Sequence, residues 1–256
     1  MIFFKNLYDY RELLKTSVLK DVRGKYKNSF LGVIWSFLNP LLQIFVYWFV
    51  FGKIMGSSEP NYVVFLCCGL IPWTFFSATI NRNAFIFIEN GNIIKKVFFP
   101  REVLPVSALT SETINFMIST SIILAFVIGY HRFTIYVLFY PLILFVQYIF
   151  TLGVSFFVSS VTVYFRDLQH FIGVFLQLMF YATPIAYSID RVPNGFKWIA
   201  TLNPVAHVIE AYRAIFYNGT MPDLFSLFII LIIGLVLCFT GYVFFSHMQK
   251  GFAEQF

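Results

Sequence analysis

Long stretches without a single charged residue constrain this chain more than any other feature. Six such windows follow one another between Lys27 and Lys250, and a helix needs about 20 residues to cross the hydrocarbon core of a bilayer. Charged residues make up 12% of the 256-residue chain, about half of their share in ordinary soluble domains. Because so little polar surface cannot cover a soluble globule, we predict an all-α integral membrane protein.

The six windows predict six transmembrane helices within one transmembrane domain, residues 1–256. The fourth window, residues 133–165, is too short for two full spans. We interpret it as one long tilted helix that begins or breaks near Pro141. The predicted spans are residues 30–52, 61–81, 106–130, 136–163, 170–188 and 224–246.

Charge distribution predicts the orientation of the spans. An even number of spans places both termini on one side of the membrane. With the N-terminus inside the cell, the internal segments hold 13 of the 18 lysine and arginine residues. Positively charged residues favour the cytoplasmic side, so we predict that both termini are cytoplasmic.

The N-terminal residues 4–23 show the pattern of an amphipathic helix. Their apolar positions recur at spacings of three and four, with charged residues between them. This pattern indicates a helix lying at the membrane interface. Packing against a soluble partner would produce the same pattern, and the two interpretations are compatible. The apolar positions are Leu7, Tyr10, Leu14, Val18 and Val22.

The loop of residues 90–102 is the most charged interior piece of the chain, with Lys95, Lys96, Arg101 and Glu102. A charge at mid-bilayer costs roughly 2.5–3.5 kcal/mol per residue on insertion scales, so this loop must lie in water or among the headgroups. One interpretation is an ordinary cytoplasmic loop held inside by its lysines. The other is a docking element that contacts a second protein.

Residues 190–222 form the longest predicted external segment. Its apolar run, residues 198–209, is too short to span and is typical of a re-entrant or interfacial element. Asn203-Pro204 predicts a turn or a helix start. Glu210 and Arg213 are three residues apart, so they can pair on one helix face. Such a pair is equally consistent with a surface ion pair and with a functional one.

Residues that could bind a metal or a nucleotide are scattered. Cys67, Cys68 and Cys238 lie inside apolar runs, and the four histidines show no ligand spacing. The two Gly-Lys pairs lack the preceding glycine and the following Ser or Thr of a P-loop. We therefore expect no cofactor on this chain. Any ATP and magnesium would be bound by a separate partner subunit.

Glu112 is the main charged residue inside a predicted span. A carboxylate in a span is a functional hypothesis by default. Glu112 is close to the cytoplasmic boundary of the third predicted span. We therefore interpret it as snorkelling to the surface or as part of a structural pair.

Four segments together resemble a known family. They are KYKNSFLGVIWSFLNPLLQIFVYWFVF at residues 25–51, IIKKVFFPREVLP at 93–105, YFRDLQH at 164–170 and LNPVAHVIEAYRAIFYNG at 202–219. In this order and at these topological positions they resemble the membrane (permease) subunit of ABC-2-type polysaccharide exporters. Such proteins move O-antigen, capsule or teichoic-acid chains on a polyprenyl carrier.

The resemblance implies a transport permease, not an enzyme, in a bacterial or archaeal cytoplasmic membrane. It implies a homodimer joined to two copies of a cytoplasmic ATP-binding subunit, with a lipid-linked polysaccharide as substrate and no nucleic acid as partner. The loop after the second span would be a coupling helix seated on the ATPase. Its residues would be Asn92, Ile93, Ile94, Lys95, Lys96, Val97 and Phe98. Short external gate helices would contain Asn203, Pro204, Glu210 and Arg213.

The resemblance also implies that the first span lines the translocation path. Phe37, Ile44, Tyr47 and Phe51 fall roughly on one face of that span. Aromatic rings there could stack on sugar C–H faces, although a chain with 21% aromatic residues places some on any face. A polyprenyl diphosphate needs cations at the headgroup level. Arg23, Lys25 and Lys27 are the predicted set, and orientation alone would also explain them.

Two other classes of protein compete with this interpretation. A membrane-embedded enzyme acting on a polyprenyl-phosphate glycolipid would need clustered acid and base side chains. The chain offers the scattered Asp9, Asp21, Asp167 and His170. An ion-coupled carrier would need ionisable residues or half-helix ends near the bilayer midplane, and few are present. The sequence therefore favours the exporter permease, without identifying the glycan or its length.

Overall fold

The computed structural model describes residues 2–24, 34–57, 59–130 and 133–255, and every regular element in them is helical. The all-α prediction is confirmed. The α-helices are α1 (Ile2–Asp9), α2 (Arg11–Gly24), α3 (Trp35–Tyr47), α4 (Tyr62–Glu89), α5 (Gly91–Lys96), α6 (Val103–Gly129), α7 (Tyr140–Tyr164), α8 (Leu168–Ala182), α9 (Lys197–Thr201), α10 (Pro204–Arg213) and α11 (Leu224–Met248).

Shorter turns extend several of these helices. Helix α3 continues as a π-helical turn, Trp48–Ile54, and α10 as another, Ala214–Asn218. A 3-10 turn, Ile135–Phe139, leads into α7, and α11 continues as the 3-10 tail Gln249–Glu254. Two further 3-10 turns, Ile189–Arg191 and Asn194–Phe196, connect α8 to α9.

Five helical stretches in the described chain are long and apolar enough to cross a membrane. The fifth predicted span, residues 170–188, is not among them; it corresponds to α8, which has 15 residues. At 1.5 Å per residue α8 is roughly 22 Å long, shorter than the roughly 30 Å hydrocarbon core. The helix ends because Thr183 precedes Pro184 and adopts an extended backbone with ψ 133°. The five stretches are Trp35–Ile54, Tyr62–Glu89, Val103–Gly129, Ile135–Tyr164 and Leu224–Phe252.

Local sequence signals explain where several helices begin. Pro141 lies in the first turn of α7, where the missing N–H of proline has no consequence. The Asn203 side chain accepts a hydrogen bond from the Val205 N–H and caps α10. Asp223 caps α11 by accepting from the Phe225 and Ser226 N–H groups.

The predicted N-terminal helix, residues 4–23, is divided at Tyr10 into α1 and α2. Hydrogen bonds continue across the division, since Tyr10 N bonds to Asn6 O and Leu14 N to Tyr10 O, both at 3.0 Å. The two halves pack on different surfaces. Phe3 of α1 contacts rings on α7 and α11, whereas α2 lies along α6.

Helix α4 is the centre of the bundle, since 78% of its most apolar stretch is buried. Helices α6, α7, α8 and α10 pack around it, and α3 packs on α4 and α6. Helices α7 and α11 form the most extensive pair because glycines allow close approach. A Cβ added at Gly153 would lie 2.6 Å from Leu237 Cβ, and one at Gly241 would lie 2.9 Å from Gly153 O.

The bundle has two distinguishable ends. Hydrogen bonds join α1, the start of α6 and the C-terminal tail at one of them, through Asn6, Glu102, Arg101 and Gln249. We call this the termini end. The connection after α3, the connection after α8 and the end of the α10 turn meet at the other, which we call the opposite end.

Candidate functional site

Helix α5 presents an unusual surface at the termini end. Gly91 is buried and Ile94 is only 6% exposed, so one face of α5 packs on the bundle. The other face is open, and Phe98, just beyond the helix, is 95% exposed. A fully exposed aromatic ring between apolar and basic neighbours is typical of a protein-docking surface. The exposed residues are Asn92, Ile93, Lys95, Lys96, Val97 and Phe98.

The residues after α5 are tied to the C-terminal tail. Arg101 donates to the Gln249 carbonyl, and its guanidinium lies 5.6 Å from the centroid of the Phe252 ring. Burial lowers the pKa of the Arg101 guanidinium. Phe252 is fully buried and packs against Phe87 of α4 at 4.9 Å between ring centroids. Arg101 therefore links the segment after α5 to the tail that follows α11, and Phe252 links that tail to α4.

Two polar contacts fasten α1 and α2 at the same end. Asn6 donates to the Glu102 carboxylate at 2.8 Å, and Glu102 is 2% exposed. Asp21 of α2 pairs with Arg82 of α4 at 2.6 Å. The sequence did not predict either contact, because the partners are far apart in the chain and carry no local motif.

The opposite end is built around one buried cation. Arg213 is 1% exposed and pairs with Glu210 at 2.6 Å, so the pair that the sequence allowed is present. Its Nη2 donates to the Ile185 carbonyl at 2.7 Å. Its guanidinium carbon lies 3.7 Å from the centroid of the Phe65 ring, a cation–π contact. Arg213 thereby joins α10, α4 and the segment after α8, which excludes a simple surface ion pair.

The backbone of α4 is shaped to accept Arg213. A Cβ at Gly69 would lie 2.8 Å from Ile185 O and 3.1 Å from Arg213 Nη2. Side chains with hydroxyl or amide groups complete the cap around this point. Their bonds run from Asn203 Nδ2 to Thr183 Oγ1, Tyr62 Oη to Ala186 O, Tyr217 Oη to Pro60 O, and Tyr212 Oη to Gln147 Oε1, at 2.7–3.1 Å.

The residues predicted for the translocation path are only partly accessible. Ile44 is 3% exposed and packs within the helix bundle. The Tyr47 ring contacts Phe180 of α8 at 5.1 Å and stacks with Phe51 at 6.0 Å. Phe37 is 36% exposed. Their role in translocation stays a prediction, and Ile44 lines no open surface in this conformation.

The cations predicted for a lipid headgroup are described only in part. Arg23 is exposed in the last turn of α2. Lys25 and Lys27 lie outside the described residues. The headgroup site therefore also stays a prediction.

Groups suited to metal or nucleophilic chemistry do not cluster in the described part of the chain. No group of three or more His, Cys, Asp or Glu residues could hold a metal ion among the residues that were described. Cys67 and Cys68 are fully buried in α4. What the geometry does provide is one exposed apolar and basic surface at α5 and one cap built around the buried Arg213, on a bundle of apolar helices.

These features define a multi-pass membrane protein with an exposed apolar and basic surface at one end. The chain belongs to the ABC-2 type transporter family, whose model matches residues 12–217. The resemblance seen in the sequence is thereby confirmed.

Relatives of this chain match it over nearly its whole length. It is 40% identical to an O-antigen export system permease protein, RfbA, of Klebsiella pneumoniae, covering 95% of this chain and 94% of the relative. It is 33% identical to the protein of the same name from Myxococcus xanthus, covering 98% and 97%. It is 25% identical to the polysialic acid transport protein KpsM of Escherichia coli, covering 87% and 88%.

Proposed function

We propose that this chain is the membrane-spanning subunit of an ATP-driven exporter. It moves a polyprenyl-diphosphate-linked polysaccharide across the cytoplasmic membrane. The observation that carries the proposal is the near full-length similarity to permeases named for O-antigen export. Higher identity to these proteins than to the polysialic acid transporter favours an O-antigen-type polymer over a capsule polymer.

ATP is bound by a separate subunit, which docks on α5. The sequence has no P-loop, so the energy must enter through a contact with another chain. Ile93, Val97 and Phe98 supply the exposed apolar part of that contact, and Lys95 and Lys96 its basic flank. This assignment places the termini end in the cytoplasm, in agreement with the excess of lysine and arginine on that side.

The working unit is a homodimer with two ATP-binding subunits. Helices α3 and α8 support this proposal. Only 6% of the apolar stretch that begins with α3, Trp35–Ile54, is buried within one chain. Large apolar side chains on both helices are exposed, among them Phe45, Phe49, Phe171, Phe175 and Leu178. A second copy would cover these faces and enclose a path between the α3 helices. In that arrangement Phe37, Tyr47 and Phe51 lie close to the path.

The cap at the opposite end acts as the outer gate. Asn203 and Pro204 start α10, and the Glu210–Arg213 pair fixes it to α4. Short helices held by side-chain bonds can shift as a unit without exposing unpaired backbone groups to lipid. Arg23, with Lys25 and Lys27, is the proposed contact for the carrier phosphates on the cytoplasmic side.

Deletion of the gene in its native host tests the proposal. Surface polysaccharide should disappear, while lipid-linked polymer accumulates inside the cell. A plasmid copy of the chain should restore export, and an affinity-tagged copy should retain an ATP-binding protein during purification. Unchanged surface polysaccharide in the deletion strain would contradict the proposal.

A further inference from the structure

Two polar stripes, one on α3 and one on α6, line the same cavity of the membrane-spanning bundle. Ser36, Asn39 and Gln43 of α3 are spaced three and four residues apart, so they share one helix face. The same spacing relates three polar residues of α6. Polar side chains within spans are rare and usually face the protein interior or a water-filled cavity. The residues of α6 are Glu112, Asn115 and Ser119.

The two stripes enclose a cavity of about 370 Å³ between α3, α4 and α6. Three aromatic rings, Trp35, Phe75 and Phe116, form part of its wall. The volume lies within the roughly 300–1,000 Å³ of small-ligand pockets. The pocket thus combines flat apolar surfaces with several hydrogen-bonding groups.

The polar residues of the cavity lie too far along α6 to be at the level of the lipid headgroups. Glu112 is nine residues, or roughly 14 Å, from the first residue of α6, and Ser119 is roughly 24 Å from it, in a helix about 40 Å long. Glu112 is 5% exposed, so its carboxylate does not reach the membrane surface. Of the two interpretations of Glu112, snorkelling is therefore wrong, whereas a structural pair agrees with its hydrogen bond from Asn115.

Two atoms in the pocket point to a ligand. Ser36 is 7% exposed, and its buried Oγ has no hydrogen-bond partner among the described residues. Asn115 donates from Nδ2 to Glu112 Oε2 at 3.3 Å, whereas its buried Oδ1 is also unsatisfied within the described chain. Buried polar atoms are normally paired with protein or with bound molecules. These atoms are therefore positioned for an occupant with hydrogen-bonding groups of its own.

The mouth of the cavity is polar as well. Asn39 and Gln43 are exposed at a depth where lipid tails would leave their amides unsatisfied. They must instead face water or another protein. We assign the outer face of α3 to the dimer interface and the translocation path. The cavity mouth at Asn39 and Gln43 therefore opens toward that path.

We propose that this pocket binds one sugar ring of the transported glycan. This inference rests on the function proposed above. Each sugar hydroxyl both donates and accepts, which matches amides and hydroxyls that can do either and a carboxylate that accepts. The aromatic rings match the C–H faces of a sugar. A bare cation would use acceptors alone and would leave the amide N–H groups and the aromatic wall without a role.

Cysteine labelling distinguishes this pocket from its surroundings. In a version with Cys67→Ala, Cys68→Ala and Cys238→Ala, we would introduce Ser119→Cys or the matched control Ser121→Cys. Ser121 lies on α6, two residues away, outside the pocket and exposed on the helix exterior. Membranes would be treated with a water-soluble maleimide, from cells that make the polymer and from cells that cannot.

We expect Ser119→Cys to react without polymer and to react several-fold more slowly when polymer is present. Ser121→Cys should not depend on polymer. Failure of Ser119→Cys to react in both membranes, or equal reaction in both, would overturn the assignment. If the cysteine-free version does not export, the same question is asked in the native background with Glu112→Gln and Asn39→Leu.

Each of these two variants should export polymer about tenfold more slowly, with the ATP-binding protein still co-purifying. Ser121→Ala is the control and should export normally. Normal export by both pocket variants would overturn the assignment. These results are separable from the proposed function, because unchanged surface polysaccharide in the deletion strain refutes the exporter itself, whatever the pocket does.

Discussion

The two ends of the bundle differ in how their key side chains are surrounded: one is exposed and the other is buried. At the termini end, Phe98 is 95% exposed, and the face of α5 around it is not covered by any described part of the chain. At the opposite end, Arg213 is 1% exposed and bonds to a carboxylate and a carbonyl. We propose that another protein covers the first end, whereas Arg213 at the second end is held by groups of the chain itself.

The difference shows which physical term dominates at each end. An exposed apolar ring gains free energy when a partner removes it from water. A buried charge already lost its hydration on folding, so its bonds hold α10 in place. Substitutions at the termini end should therefore affect association, and those at the opposite end should affect stability.

The largest effect is expected for Phe98→Asp. A charged side chain cannot enter an apolar pocket on the ATP-binding subunit, and a central aromatic anchor contributes about 2 kcal/mol or more, roughly 30-fold in affinity. Co-purification of that subunit should fall by at least this factor, while the variant still inserts. Phe165→Asp is the control, since Phe165 is also an exposed aromatic between helices. An equal loss in both variants, or none in Phe98→Asp, would show that α5 is not the docking surface.

Glu210→Ala should destabilise the protein by about 1–3 kcal/mol, because it leaves the buried Arg213 without its counter-charge while the Ile185 carbonyl and the Phe65 ring remain. The value should lie at the lower end, since the Glu210 side chain is 41% exposed. Adding Arg213→Met removes the orphaned charge, so the double variant should be more stable than Glu210→Ala alone. Unfolding of the purified chains in detergent measures this order. A double variant as unstable as the sum of both single changes would contradict it.

Gly69→Ala should destabilise by about 1–3 kcal/mol through overpacking. The added methyl group would meet Ile185 O at 2.8 Å and push the cap away from α4. Gly173→Ala on α8 is the matched control, because an added Cβ there meets no atom within 4 Å. Its stability should stay the same or rise slightly. If both variants unfold alike, close packing at Gly69 is not what holds the cap.

The smallest effect is expected at Asp223, the cap of α11. Asp223→Ala should cost about 1 kcal/mol at neutral pH. Bonds from the Ser226 hydroxyl and from backbone N–H groups lower the pKa of the Asp223 carboxyl. The stabilisation from ionised Asp223 is therefore complete above the ordinary aspartate pKa of about 4 and is lost as the pH falls below it. Asp223→Asn should keep most of the cap without this pH dependence, which unfolding at pH 7 and pH 3 would show.

Local features of the fold and the site were predictable. The loop of residues 90–102 was predicted to lie outside the lipid because its charged residues cannot lie there, and the start of α10 was predicted because Asn203-Pro204 is a local signal. The Glu210–Arg213 pair follows from helix spacing alone. The early end of α8 was also predictable, because Pro184 disfavours a helical backbone at Thr183. The predicted span 170–188 was based on the absence of charged residues alone.

Contacts between distant segments were not predictable. Nothing near Arg213 in the sequence indicates that Phe65 and Ile185 surround it. Likewise, the contacts of Arg101 with Gln249 and Phe252 join residues that share no motif. Ile44 was assigned to an accessible face because helix periodicity gives the faces of α3 but does not show which face packs on its neighbours.

The sequence by itself determined that this chain is a helical membrane protein, and it predicted that ATP is bound by a separate partner subunit. Length, hydropathy and charge act residue by residue, so no fold is needed to read them. Only the tertiary structure decided which polar groups meet: the cap around Arg213, and the pocket that Glu112, Asn115 and Ser36 line. The physical reason is that burial and hydrogen bonding depend on which residues packing brings together. The sequence shows which polar residues are present, but it does not show which of them become neighbours.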